Sequence, residues 1–201
     1  MSFPDTVAVA SRNPGKIREI LAICSDWPVR WITADHDPGP WPEVEETGTS
    51  YLENARLKAV AVAQALQVPS LADDSGIEVD ALGGAPGPRS ARFAGEHASD
   101  RDNLDRLIEL MRDLPTAGRG ARYRCVAVLV LPDGSELVDE GTCEGILIPE
   151  PRGSGGFGYD PIFVPAGRSE TMAEVAPEVK NRISHRGRAL RALGARLRKV
   201  S

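Results

Sequence analysis

The sequence predicts a mixed α/β fold, and three observations support that prediction. Short apolar strands alternate with segments of helical spacing through residues 6–72. Two strand-like segments at residues 123–131 and 136–138 then flank the turn Pro132-Asp133-Gly134, as in a hairpin. Residues 184–200 return to helical spacing. This order is typical of helices packed on a sheet, and we expect one compact domain over residues 1–201.

The first elements form a strand, a polar turn and a helix. Residues 6–10 are apolar and predict a buried strand, and residues 16–23 have apolar side chains at helical spacing. Pro14 and Gly15 break the strand between them. A helix N-terminus presents backbone N–H groups, and Lys16 adds a cation, so this turn is a candidate anion site.

The middle of the chain continues the alternation. Residues 29–33 predict a second strand, and Ser50 with Glu53 forms a capping box for a helix that runs to about residue 67. Residues 70–72 predict a third strand, which we expect to end at Asp73-Asp74. Ser99 is expected to cap a further helix.

Composition and charge argue against several functional classes. The net charge of −5 disfavours a protein that binds nucleic acid polymers, although a local cluster of cations can still hold one nucleotide. The longest apolar run, residues 125–131, is far shorter than the roughly 20 residues of a membrane helix. The three cysteines lack metal-ligand spacing, and no charged leader precedes an apolar segment. We therefore expect a cytoplasmic protein without a membrane partner.

Two acidic pairs, Glu45-Glu46 and Asp73-Asp74, are candidates for a metal site. Mg²⁺ prefers carboxylate oxygens and usually binds the phosphates of the substrate as well. Adjacent acidic residues are also common on solvated surfaces. The aspartates are the better candidates because they follow an apolar strand, where an unpaired carboxylate is costly.

Cations and a glycine-rich aromatic segment complete the candidates. Lys58 lies one helical turn after Asn54, and residues 155–161 place aromatic rings between glycines. Such a segment allows close approach of the backbone to a ligand and stacking of a base. A tight turn with inward-packed rings is the alternative. The spacing of a Walker phosphate loop is absent around Lys16.

Together these segments resemble the inosine triphosphate pyrophosphatase family. The resemblance is carried, in the order of the family, by Ser11-x-Asn13-x-x-Lys16, Glu45-Glu46-Thr47-Gly48, Glu53-Asn54-Ala55, Ala72-Asp73-Asp74-Ser75-Gly76, Ser90-Ala91-Arg92-Phe93, Gly156-Phe157-Gly158-Tyr159-Asp160-Pro161 and Ile183-Ser184-His185-Arg186. Arg89 and Phe93 stand where relatives often carry tyrosine, which affects the expected packing of that loop and not the metal or phosphate residues.

The resemblance implies an elongated mixed-sheet α/β fold with two lobes around a central substrate cleft, and a homodimer. It also implies Mg²⁺-dependent hydrolysis of ITP, dITP and XTP to the monophosphate and pyrophosphate. Asp74 matches the catalytic acid–base residue and a metal ligand, and Glu45 the second metal ligand, with a one-residue ambiguity toward Glu46. The substrate-binding positions that match are Ser11, Arg12, Asn13, Pro14, Gly15, Lys16, Ser75, Phe157, Gly158, Tyr159, Asp160, Lys180, His185 and Arg186.

Two other functions stay open from the residues. A pyrophosphatase for modified pyrimidine nucleotides would share the phosphate and metal residues and differ in its contacts with the base. A nucleotide-binding protein without catalytic activity is the second, and the presence of Asp74 and Lys16 disfavours it.

Selection of the base is a matter of hydrogen bonding. Hypoxanthine and xanthine carry a 6-keto oxygen, whereas adenine carries a 6-amino group. A hydrogen-bond donor near that position, such as Arg186, would reject adenine, since an unpaired buried polar group is costly.

Overall fold

The computed structural model describes residues 3–199 and contains one six-stranded mixed sheet. The strands are β1 (Thr6–Val9), β2 (Arg30–Ile32), β3 (Ser70–Val79), β4 (Gly120–Val130), β5 (Glu136–Leu147) and β6 (Phe163–Pro165). Their order in the sheet is β2-β1-β3-β4-β5-β6. Strand β1 is parallel to β2 and β3, whereas β5 and β6 are antiparallel. The predicted α/β class is confirmed.

Five α-helices accompany the sheet in the described part of the chain. They are α1 (Pro14–Ile23), α2 (Tyr51–Leu66), α3 (Asp100–Met111), α4 (Pro177–Ile183) and α5 (His185–Lys199). The last predicted helix extended to residue 200, which lies outside the described residues. Across residues 3–199 no helix is both long and apolar enough to cross a bilayer.

The chain divides into two compact units, and the boundaries between them fall within strands β3, β4 and β5. In the described chain, the first unit contains residues 3–74, 125–141 and 186–199. The second contains residues 75–124 and 142–185. The expectation of one domain over residues 1–201 stays a prediction.

The core of the first unit follows the alternation of side chains along its strands. Leu71 packs with side chains of α1 and α5, whereas the next residue, Ala72, packs with α2. Successive strand residues point to opposite faces of a sheet, so one face is covered by α1 and α5 and the other by α2. The second unit has its own core, in which Ile77 and Val79 pack with Leu107 of α3.

Local signals position the helices that carry the site. The Ser50–Glu53 capping box is present at the start of α2, and a second box begins α3 at Ser99. Helix α1 begins at Pro14, two residues before the predicted start, because proline fits the first helical turn and Asn13 caps it.

One strand prediction was wrong in its length. Strand β3 does not end at Asp73-Asp74 but continues to Val79. Ile77 and Val79 are fully buried beyond the aspartates, so the apolar face of the strand resumes after them. Both aspartates are themselves buried. The ion pairs described below compensate the cost of burying Asp73 inside a strand, and they offset only part of that cost for Asp74.

Candidate active site

The turn between β1 and α1 is held by its own polar side chains. The Oδ1 atom of Asn13 accepts a hydrogen bond from the backbone N of Lys16 at 3.1 Å. The hydroxyl oxygen of Ser11 accepts one from the backbone N of Asn13 at 3.2 Å. These bonds order the N-terminus of α1. Arg12 points outward instead, and its side chain is 60% exposed beside Glu43.

Asp73 and Asp74 belong to opposite faces of strand β3. Asp73 follows Leu71 on the face covered by α1 and α5, and its carboxylate accepts from Arg186 of α5. Asp74 follows Ala72 on the face covered by α2, and its carboxylate accepts from Asn54 of that helix. The alternation of a strand thus gives two adjacent carboxylates different surroundings.

Two lysines bring positive charge to these carboxylates. The Nζ atom of Lys16 lies 3.6 Å from Oδ2 of Asp73 and 3.8 Å from Oδ1 of Asp74. Lys58 lies 3.8 Å from the same oxygen of Asp74, and it donates to the backbone oxygen of Asp73 at 2.9 Å. Lys58 is four residues after Asn54, so both side chains lie on one face of α2.

The two aspartates have opposite pKa shifts. Burial is the largest influence on Asp74 and raises the pKa of its carboxyl group, against the attraction of Lys16 and Lys58. Burial would also raise the pKa of Asp73, but the charges of Arg186, Lys16 and Lys58 together hold that pKa well below its usual range. Asp73 is therefore a fixed anion, whereas the raised pKa of Asp74 makes its carboxylate the more basic of the two.

Arg186 forms buried ion pairs with two carboxylates of the first unit, those of Asp73 and Glu19. Its guanidinium donates through Nε and Nη2 to Oδ2 of Asp73, at 3.1 and 3.0 Å, and through Nη1 to Glu19 of α1. The side chain is only 1% exposed. Burial alone would lower the pKa of Arg186, but the two carboxylates raise it above its ordinary value. Arg186 therefore joins α5, α1 and β3.

The two residues of the second acidic pair, Glu45 and Glu46, also have different surroundings. The Oε1 atom of Glu46 accepts from Nζ of Lys58 at 2.5 Å, which places Glu46 beside an ammonium that also contacts Asp74. Glu45 is exposed, and its backbone oxygen accepts from Thr47. Of the two, Glu46 is the residue that the structure brings toward Asp74.

In the second unit, Asp160 forms hydrogen bonds with two other predicted site residues, Lys180 and Phe157. Its Oδ2 atom accepts from Nζ of Lys180 and from the backbone N of Phe157, the latter at 2.9 Å. The Lys180 ammonium lies 5.0 Å from the centroid of the Phe157 ring. Asp160 and Lys180 are both buried. The structure therefore groups a cation, an aromatic ring and a carboxylate.

The remaining predicted residues of this unit have various positions. Tyr159 is buried, and its hydroxyl donates to the backbone oxygen of Ser90 at 2.8 Å, so this ring packs inward. Gly158 donates its backbone N–H to Asp100. His185 is buried at the start of α5. Ser75 is half-buried in β3. Their assignment to substrate binding stays a prediction.

Some residues of these clusters are not among the predicted substrate or metal positions, although Lys58 is one of the candidate cations. Asn54 and Lys58 contact Asp74, and their signal was a polar side chain and a lysine four residues apart on the face of α2 that also carries alanines. Glu19 had a weaker signal, since it lies one turn after Lys16 in a helix. Tyr123 gave none, because aromatic residues in strands are common.

The oxygen-rich surroundings of Asp74 fit a hard divalent cation that arrives with its substrate. Within residues 3–199, no group of three or more histidine, cysteine or acidic side chains is assembled as a metal site. Mg²⁺ needs no such group, because it typically binds one or two carboxylates, waters and phosphate oxygens. Asp74 and Glu46 supply two carboxylates next to one lysine. In addition, Oδ1 of Asn54 is buried without a hydrogen-bond partner.

Comparison with known proteins places this geometry in one family. The model of the Ham1 family matches residues 7–196. A dITP/XTP pyrophosphatase of Streptomyces coelicolor is 51% identical over 187 residues, which cover 92% of this chain and 93% of the relative. The Escherichia coli dITP/XTP pyrophosphatase is 47% identical over 189 residues, covering 93% and 95%. The solved Ham1 protein of Coxiella burnetii superposes with a TM-score of 0.86 at 37% identity, covering 96% and 98%.

Proposed function

This chain belongs to the Ham1 family, and from that premise we propose that it hydrolyses the non-standard purine nucleoside triphosphates ITP, dITP and XTP to the monophosphate and pyrophosphate. The observation that carries the proposal is the position of Lys16. This lysine lies at the N-terminus of α1 and contacts both Asp73 and Asp74. A helix N-terminus with a lysine binds phosphate, and a buried carboxyl group beside it can act on water.

The charges explain how the reaction proceeds. A triphosphate repels an incoming nucleophile, and the ammonium groups of Lys16 and Lys58 would offset that negative charge. Asp74 would accept a proton from the attacking water while a phosphoanhydride bond breaks. The bond electrons leave with pyrophosphate, so that one water yields a monophosphate, pyrophosphate and a proton. The raised pKa of Asp74 makes it a stronger base than an ordinary aspartate.

Mg²⁺ is the cation that we propose for this site. When bound, it supplies neutralisation of phosphate charge and lowers the pKa of a coordinated water. The residues that would hold it are Asp74 and a glutamate of the acidic pair. We favour Glu46 over Glu45, because Glu46 shares Lys58 with Asp74 while Glu45 is exposed.

We propose that Phe157, Lys180 and His185 bind the nucleotide, as the resemblance implies. Lys180 beside the Phe157 ring supports this, since an aromatic ring can stack on a base and an ammonium can attract a phosphate or carbonyl oxygen of the same nucleotide. Arg186 was expected to contact the base as well. Its two carboxylate partners in the first unit support a role in holding Asp73.

The decisive experiment measures pyrophosphate release from ITP, XTP, GTP, ATP and UTP with Mg²⁺. We expect strong release from ITP and XTP, partial discrimination against GTP, and loss of release with EDTA and in Asp74→Asn. The exposed Asp113→Asn is the matched control and should keep full activity. Preference for UTP would keep the chemistry and overturn the base assignment. No release from any substrate would favour a silent nucleotide-binding protein.

Two further expectations belong to this proposal. We propose that the protein forms a homodimer and acts in the cytoplasm on the nucleotide pool. Light scattering at micromolar concentration tests the first, with a mass near twice the 21.5 kDa of the chain as the expected result. A single-chain mass would contradict it. Fractionation of cells of the source organism tests the second.

A further inference from the structure

Tyr123 of strand β4 contacts two of the proposed substrate residues of the second unit. Its ring stacks on the His185 ring, with 4.6 Å between centroids and 8° between planes. Its hydroxyl donates to Oδ1 of Asp160 at 3.2 Å. One side chain therefore joins the start of α5 to the segment that follows the glycine-rich turn.

The orientation of Tyr123 is fixed by its surroundings. The residue is only 7% exposed and belongs to the core of the second unit. The edge of the Phe163 ring packs against it, at 4.8 Å between centroids and 64° between planes. A ring packed against two aromatic neighbours loses the freedom to rotate. The hydroxyl therefore stays aimed at Asp160.

Asp160 links the fixed Tyr123 hydroxyl to Lys180 and Phe157, which are proposed to bind the nucleotide. While Oδ1 accepts from Tyr123, Oδ2 accepts from Lys180 and from the backbone N of Phe157. Each oxygen of the carboxylate thus has its own partners, so the plane of the carboxylate is determined. Without Tyr123, the carboxylate could rotate and carry Lys180 away from the Phe157 ring.

We propose that Tyr123 is a positioning residue for nucleotide binding: its ring sets the plane of His185, and its hydroxyl fixes Asp160, which in turn holds Lys180 and the Phe157 backbone. The proposal rests on the proposed function. It differs from a purely structural role, because a core tyrosine would affect stability without affecting affinity for the nucleotide.

The first test compares Tyr123→Phe with Tyr51→Phe. Tyr123→Phe keeps the ring and removes the hydroxyl, and Tyr51→Phe removes another buried hydroxyl, in the first unit. We expect the KM for ITP to rise roughly fivefold in Tyr123→Phe, with kcat within about twofold of wild type, because a hydrogen bond to a charged group is lost. Tyr51→Phe should leave both constants unchanged. An unchanged KM in Tyr123→Phe overturns the proposal, whatever its thermal stability.

A double-mutant cycle tests whether the hydroxyl acts through Asp160. We expect Tyr123→Phe to raise the KM in the wild-type background and to have no further effect in Asp160→Asn, since interacting residues are not additive. Full additivity of the two substitutions would show that the hydroxyl acts by another route and would overturn this part of the mechanism.

The stacking on His185 has a readout independent of activity. The chain has three histidines, so the imidazole proton signals are few enough to assign by substitution. The His185 signals should move in Tyr123→Leu, which removes the aromatic ring current, and stay close to wild type in Tyr123→Phe. Unmoved His185 signals in Tyr123→Leu would contradict the stacking.

Binding of inosine monophosphate separates this proposal from the proposed function. If wild type releases no pyrophosphate from any triphosphate, the proposed function fails. A weaker affinity of Tyr123→Phe for the monophosphate, measured by calorimetry, would still support the role of Tyr123. If wild type is active and Tyr123→Phe matches it in both KM and monophosphate affinity, only the role of Tyr123 fails.

Discussion

The Nδ2 atom of Asn54 donates a hydrogen bond to Oδ2 of Asp74 at 3.2 Å, between helix α2 and strand β3. Both residues are buried, and Asn54 is fully so. This bond favours the charged form of Asp74, whereas burial disfavours it, and burial is the larger influence. The carboxylate is therefore oriented by a neutral donor in surroundings that disfavour its charge, which is a costly arrangement for stability and a useful one for a base.

Asp74→Asn should consequently separate activity from stability. We expect pyrophosphate release to fall at least about 100-fold, because the base is lost. Since the folded pKa of Asp74 is above its unfolded value, the charged form destabilises the folded protein at any pH above that folded pKa. The substitution should therefore raise the thermal unfolding midpoint at pH 7. A lower midpoint at pH 7 would contradict the raised pKa.

Removing Lys58 should shift the pH profile of the reaction. Lys58 lowers the pKa of Asp74 by attraction, so Lys58→Met should raise that pKa. The acid limb of kcat/KM, where Asp74 becomes protonated, should move to higher pH. Rates measured from pH 5 to 9 test this, with the exposed Arg106→Met as the control that leaves the limb in place. A limb that moves to lower pH would contradict the assignment of Asp74 as base.

Gly156→Ala should disrupt the second unit's cluster. A Cβ atom there would lie 2.0 Å from Oδ2 of Asp160 and 2.8 Å from Nζ of Lys180, and the φ of Gly156 is +71°. We expect the KM for ITP to rise by tenfold or more. Gly167→Ala is the matched control, since its φ is +79° with open space around it. Equal kinetic effects of the two substitutions would attribute the loss to backbone strain alone.

Arg186→Met should cost far more stability than an exposed arginine. It would leave Asp73 and Glu19 without their shared cation, and breaking a buried pair in this way costs about 3–5 kcal/mol. Arg196→Met removes an arginine that is 49% exposed beside Asp139, and about 0–1 kcal/mol is expected. Urea unfolding measures both. Similar losses in the two variants would argue against the buried network.

Unfolding of residues 1–201 should be one cooperative transition. The unit boundaries fall within β3, β4 and β5, so each of these three strands has residues in both units. Unfolding of one unit would therefore interrupt three strands of the other, and we expect the two units to unfold together. Tryptophan fluorescence reports only the first unit, which holds Trp27, Trp31 and Trp41. Circular dichroism reports both units. Coincident urea curves are expected, and separate midpoints would show two domains.

Features determined by short-range contacts were predictable from the sequence. The predicted capping box at Ser50 and the predicted N-cap at Ser99 each depend on residues three apart, and both are present. The polar turn before α1 is likewise fixed by Ser11 and Asn13. Helix α1 begins two residues before the predicted start, because proline breaks a strand and is also favourable in the first turn of a helix.

Features that depend on distant residues were not predictable in this way. Asp73 lies inside a strand because Arg186, 113 residues later, compensates its charge. The difference between Glu45 and Glu46 depends on which side chain reaches Lys58, and two adjacent identical residues carry no local signal of that. The role proposed for Tyr123 depends on contacts with residues of α5 and of the turn after β5.

The burial of the cysteines gives the protein built-in reporters of local opening. Within residues 3–199, which include all three, none forms a disulfide and each is buried. Burial raises the pKa of Cys24 to about 12, and raises that of Cys125 well above its ordinary value. Thiolate is the form that reacts, so alkylating reagents should modify these sites only when the surrounding structure opens. Cys24 and Cys125 belong to the first unit and Cys143 to the second, so the rate of alkylation at each cysteine would time the openings of each unit separately.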